Sequence, residues 1–218
     1  HLSIRRQRQM CIRDSYGGNY GRWFGEHRSV GIDTLRAKRP DLHAWVTSTS
    51  WSKMDADNIK EMHGNIYTAK VNSITPWACI QRPAKWVGGD PNPGTAFRIS
   101  EDGTYEVLRG YYYYKLLTRA GQPGMAVART MAMDSEVALI GFARNGTRHR
   151  DAFVLVNMGK QDKRIAVQVR GCGGKVFDAY RTSDERDRFR GLGRITLTAG
   201  DLLDYEAPAR SATAFYVQ

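Results

Sequence analysis

The sequence predicts an α/β segment followed by an all-β segment. Between residues 42 and 80 two strand-like runs flank a stretch of helical periodicity, and strand, helix and strand at that spacing imply parallel strands joined by a crossover. From Met125 onward seven short β-rich runs alternate with turn signals, the rhythm of an antiparallel sandwich. The junction falls at residues 118/119, because Gly121, Pro123 and Gly124 then interrupt the pattern.

Taken in order, the chain opens on His1, and Arg5–Ser15 (RRQRQMCIRDS) holds four arginines and little apolar material. It reads as neither a signal peptide nor a helix and resembles translated sequencing adapter, so residues 1–15 are expected to be a non-native or disordered leader. Glu26–Lys38 has helical composition and is stopped by Arg39-Pro40. Leu42–Thr49 (LHAWVTST) mixes β-branched and aromatic residues as a buried strand does.

Asp55 then suits a helix N-cap and Asp57 the first turn, where a carboxylate opposes the helix dipole. Ile59, Met62, His63, Ile66 and Ala69 follow on one helical stripe. His63 is read as a packed helix residue and not a metal ligand, since no second ligand type stands near it. Ser73–Ile80 (SITPWACI) is again strand-like, with Pro76 expected where the ladder needs no donor. A single such unit is either the remnant of a (β/α) barrel, which takes about 250 residues, or part of a smaller sheet.

In the second half the predicted strands are Met125–Met133, Val137–Ala143, Ala152–Asn157, Ile165–Val169, Val176–Tyr180, Arg194–Leu197 and Ala212–Val217. Asn145-Gly146 is the strongest hairpin signal, because both residues tolerate positive φ. Glu101, Asp102 and Gly103 also carry a hairpin signature and are read as turn residues, not catalysts. Four consecutive tyrosines, Tyr111–Tyr114, point in four directions on a helix, so only one or two of them can pack inward.

The formal charge is +11, of which the first fifteen residues supply +3. The remaining basic residues are interspersed with acidic ones and accompany no nucleic-acid recognition motif, so a solvated mixed-charge surface is expected and nucleic acid is not an expected partner. Cys11, Cys79 and Cys172 give no metal or disulfide spacing. No cofactor or metal is expected. No run of about 20 apolar residues crosses a membrane.

Three segments together resemble glycoside hydrolase family 30: Gly110–Arg129 (GYYYYKLLTRAGQPGMAVAR), Val176–Ser183 (VFDAYRTS) and Ala207–Val217 (APARSATAFYV). The resemblance implies the last strands and helices of a (β/α)8 barrel over residues 16–118 and a β-sandwich over 119–218. Leu42–Trp51 is then the seventh barrel strand and Ser73–Ile80 the eighth. In that family the nucleophilic Glu follows a Trp-x-Thr, which Trp45, Val46 and Thr47 match. The next residue here is Ser48. A serine without an adjacent base is a poor nucleophile and leaves the oxocarbenium-like transition state without its counter-charge.

The partner acid/base lies on the fourth strand, outside this chain, so the catalytic carboxylates are unassigned and the chain alone is expected to be inactive. Glu26 and Asp55 stand near strand ends as possible substitutes, although a surface helix residue and a helix cap are their simpler readings. The expected substrate-binding residues are Trp51 and Trp77 at the barrel mouth, Gln81 for sugar hydroxyls, and Trp86 in the long loop Gln81–Gly94. The implied protein is a secreted or periplasmic bacterial hydrolase of a β-linked glycan, carried here as a metagenomic fragment. The alternative is a carbohydrate-binding protein without catalysis.

Overall fold

The strand, helix and strand predicted over residues 42–80 are present in the computed structural model, which describes residues 15–18, 30–50, 55–77, 79–83, 85 and 96–218. The chain groups into two units, one comprising residues 1–52 with 61–105, the other residues 53–60 with 106–218.

The first unit holds β1 (Ser15–Gly18), α1 (Val30–Lys38), β2 (His43–Ser50), most of α2 (Ala56–Tyr67) and β3 (Ser73–Trp77). The strands form a parallel sheet in the order β1-β2-β3. Ile32 of α1, Ala44 and Val46 of β2, and Ala69 and Val71 before β3 enclose its core with Ile74. Arg36 fixes the entry to both larger strands. Its Nε donates to the Leu42 carbonyl at 3.0 Å, Nη1 to the Lys70 carbonyl at 2.8 Å and Nη2 to Asn72 Oδ1 at 2.7 Å. Asn72 Oδ1 also accepts the Ala44 N–H at 2.9 Å, so one side-chain pair ties the amino ends of β2 and β3 together.

Asp55 caps α2 as predicted, its Oδ1 accepting the N–H of Asp57 at 3.0 Å and of Asn58 at 3.3 Å. Pro76 lies in β3, which ends the described sheet, where a missing N–H is tolerated. The run predicted as one strand from Ser73 to Ile80 divides. β3 stops at Trp77, and β4 (Ile80–Gln81) pairs instead with β5 (Phe97–Ile99), to which β6 (Tyr105–Val107) adds a third strand. The Glu101–Gly103 turn joins β5 to β6, with the Gly103 N–H donating to the Ser100 carbonyl at 3.0 Å. Strand β1 had no strand signal, since SYGG lacks β-branched residues.

The second unit is mostly strand. β7 (Ala126–Ala128), β8 (Val137–Ala143), β9 (Ala152–Asn157), β11 (Val176–Ser183), β12 (Arg190–Thr196) and β14 (Ser211–Val217) form a six-stranded antiparallel sheet ordered β12-β11-β14-β9-β8-β7. β10 (Lys163–Gln168) and β13 (Leu202–Ala207) form a second antiparallel layer. Alternation sorts the side chains: Phe153, Leu155, Phe177, Ala179, Phe215 and Val217 share one core with Val167, Leu203, Tyr205 and Ala207 of the second layer.

The opposite face is covered by α3 (Arg109–Ala120), which buries Tyr113, Leu116, Leu117 and Ala120 and packs on β14, β11 and β9. Strand β9 (AFVLVN) is therefore buried along its whole length, which explains its unbroken apolar run. The sequence places the junction at 118/119, in the last turn of α3; by its contacts, the whole of α3 groups with the strands that follow. Gly121 ends α3, its N–H donating to the Leu117 carbonyl at 2.9 Å, and a Cβ there would lie 2.6 Å from the Phe142 ring. Asn145 and Gly146 take φ of 46° and 75°, the left-handed pair their sequence predicts.

Candidate functional site

The carboxyl ends of β2 and β3 are where an α/β sheet of this kind presents its functional side chains. Trp45 pairs with Ser73 and Val46 with Ile74, but beyond them Thr49 pairs with Pro76 and Ser50 with Trp77. Three steps along β2 thus match two along β3, and the extra residue falls in the Thr47-Ser48 stretch. Such irregularities re-aim side chains and recur beside active sites. The same register sets the Trp77 position next to the last residue of β2, so the backbone brings the Ser48 stretch and Trp77 to one end of the sheet.

Gln81 is half-buried on β4, opposite Arg98 of β5, in a sheet separate from that of Trp77. Trp51, Trp86 and Glu26 lie outside the described residues. Asp55 is committed elsewhere: besides capping α2, its carboxylate pairs with Arg210 Nη2 at 3.1 Å and is almost fully buried. His63 packs against Tyr67 with ring centroids 4.7 Å apart. Among the described residues no group of three or more His, Cys, Asp or Glu side chains is placed to hold a metal ion.

The motifs behind the family resemblance do structural work. In VFDAYRTS, Arg181 Nε donates to Asp187 Oδ2 at 2.6 Å, Thr182 Oγ1 accepts the Phe189 N–H at 3.1 Å, and Ser183 Oγ accepts the N–H groups of Arg186 and Asp187. In the closing strand Ser211 Oγ donates to the Pro208 carbonyl at 2.7 Å. Arg210, which sequence reading passed over, gathers Asp184 at 2.9 Å, Asp57 at 3.0 Å and Asp55 at 3.1 Å around one guanidinium. Burial opposes its charge, but the hydrogen bonds it donates to the Asp57 and Asp184 carboxylates raise its pKa above the ordinary arginine value. No local pattern in the sequence announces a cluster in which Arg210 lies 153 residues from Asp57.

No family model and no curated protein sequence matches the chain. Solved structures of glycoside hydrolases do match it. A family 30 endoxylanase from Clostridium papyrosolvens C71 is 18% identical with a TM-score of 0.70, the match covering 94% of this chain and 49% of that one. A family 30 subfamily 8 xylanase from Clostridium acetobutylicum is 14% identical with a TM-score of 0.70, over 93% and 48%. An endo-β-1,6-glucanase is 17% identical with a TM-score of 0.56, over 94% and 41%. The chain thus spans about half or less of the length of each of these structures. Its fold is one found in glycoside hydrolases, and the resemblance to family 30 carried by its motifs extends to its three-dimensional structure.

Proposed function

We propose that the chain is the carboxy-terminal portion of a glycoside hydrolase acting on a β-linked glycan, with β2 and β3 as the seventh and eighth strands of a (β/α)8 barrel and the second unit as its appended β-sandwich. The observation that carries this reading is the parallel pairing of β2 with β3, irregular at Thr47-Ser48, in a chain that superposes over nearly its whole length on family 30 enzymes. Trp77, with Trp51 and Trp86, offers aromatic faces for a pyranose, and Gln81 a hydrogen-bonding partner for its hydroxyls. A carboxylate nucleophile is missing where the motif places one, because Ser48 follows Trp45-Val46-Thr47. That single residue favours a second reading, a protein that holds glycans without cleaving them.

The two readings separate in one set of assays on soluble β-1,4-xylan and β-1,6-glucan, by affinity electrophoresis and by release of reducing sugar. Binding is expected, with W77A weakening it at least tenfold, the cost of about 1.4 kcal/mol that removal of an aromatic anchor typically exceeds. Hydrolysis by the chain alone is not expected. Full hydrolytic activity would mean that the carboxylates lie elsewhere, and absence of binding to any β-glycan would remove the proposal.

A further inference from the structure

The second unit has a cavity of about 330 Å³ lined by Arg119, Gln122, Arg150, Asp178, Tyr180 and Tyr216 together with His149, within the size range of small-ligand sites, about 300–1,000 Å³. Arg119 is its unusual member. The guanidinium carbon lies 5.7, 5.2 and 5.6 Å from the ring centres of Tyr180, Phe189 and Tyr216. Two other exposed arginines of this unit do meet carboxylates, Arg164 meeting Asp204 and Arg150 meeting Asp178 at 3.9 Å. Among the described residues no carboxylate pairs with Arg119. Its place in the last turn of α3 suits the helix dipole, but that role is served equally by a side chain extended into water. Set among three rings, its fork of N–H donors is held in one place instead.

The rings are themselves preset. Tyr216 donates its hydroxyl to the Leu116 carbonyl at 3.2 Å. Tyr180 stacks on Phe189 at 4.7 Å and 20°, and Phe189 holds a φ of +55°, a conformation that bulky residues rarely adopt. Backbone strain of this kind collects at ligand-binding sites. Rigid aromatic walls with an unmatched guanidinium in a polar cavity fit a ligand having an apolar face and a carboxylate.

We propose that this cavity is a secondary binding site for a uronic acid residue of a glycan. The carboxylate meets the Arg119 fork in a bidentate pair, the C–H face of the sugar packs on the tyrosine rings, and Gln122 with the Arg150–Asp178 pair faces the hydroxyls. The inference rests on the glycan reading only for its choice of sugar.

Titration of the full chain with D-glucuronate, monitored by calorimetry, tests it, with D-glucose and acetate as the neutral-sugar and plain-anion arms. Glucuronate is expected to bind at least tenfold more tightly than either control, and R119Q to lose at least tenfold while retaining the parent melting temperature. Glucuronate binding no tighter than acetate, or unaltered in R119Q, overturns the proposal. If R119Q fails to fold, R119K decides: an ammonium lacks the planar fork, so at least a threefold loss is expected and unchanged affinity overturns it. Xylohexaose binding that is abolished by W77A but indifferent to R119Q reports on the first unit separately, so failure at either site is distinguishable from failure at the other.

Discussion

Tyr113 donates its hydroxyl hydrogen to the Asp184 carboxylate at 2.8 Å, joining the middle of α3 to the turn after β11. The same oxygen lies 3.0 Å from the Arg210 carbonyl. The ring is fully buried and the bond reaches a charged acceptor, so its loss has a defined cost. Y113F is expected to destabilise the second unit by about 1.5–3 kcal/mol. All five tryptophans precede residue 87, so hydrogen exchange of the β9 and β14 amides is the suitable measure of this unit. A change below about 0.5 kcal/mol would show that water replaces the bond.

Burial, reinforced by the Asp184 charge, pushes the Tyr113 hydroxyl far above the ordinary tyrosine value, and burial raises Tyr216 as well. The folded state therefore keeps these protons after the unfolded chain has released them. The stabilisation is complete below about pH 10, the unfolded tyrosine value, and declines as pH rises above it. In Y113F the alkaline decline is expected to be shallower than in the parent by up to about 1.4 kcal/mol per pH unit. Parallel stability curves above pH 10 would contradict the assignment.

Arg210 is held by one exposed and two largely buried carboxylates, Asp57, Asp55 and Asp184. Replacing it with methionine leaves the two buried carboxylates without a counter-charge, and R210M is expected to cost about 3–5 kcal/mol. D57N removes only the exposed member, for about 1 kcal/mol or less. Equal effects of the two substitutions in urea unfolding would refute this division of labour.

Asn157 is buried at the end of β9, where its amide nitrogen reaches the carbonyls of Gln161 and Ala207 at 2.9 Å and of Pro208 at 3.1 Å, while Oδ1 accepts the Gly159 N–H at 2.9 Å. It satisfies both layers where the chain turns between them. N157D retains the shape but sets a carboxylate against three carbonyl oxygens, and is expected to lower stability by more than N157A, itself about 1–3 kcal/mol. Thermal unfolding of the two variants side by side checks the order.

Much of the fold was legible in the residues. Val137–Ala143 and Ala152–Asn157 match their predicted bounds because apolar runs broken by Asn145-Gly146 leave no other reading. β13 lies outside the predicted strands, although Leu203, Tyr205 and Ala207 alternate inward, since Asp204 and Glu206 on the other face mask the β signal. The sequence assigns most of α3 to the preceding segment, because glycine and proline mark where a helix stops and not which surface it covers. At the candidate site, the Trp77 and Ser48 positions converge because both follow from strand order, which periodicity reports. The Arg119 cavity depends on side chains from α3, β11 and β14 and the loop before β9, and distances of that kind have no local signature.

The position of β14 between β9 and β11 has a consequence for how the protein is made. A ribosome adds about 5–20 residues each second, so both neighbours emerge seconds before the strand that will join them. During that interval the two facing edges, rich in valine, phenylalanine and alanine, are open to pairing with other nascent chains. Chaperone demand during translation should therefore peak just before residues 211–217 leave the exit tunnel.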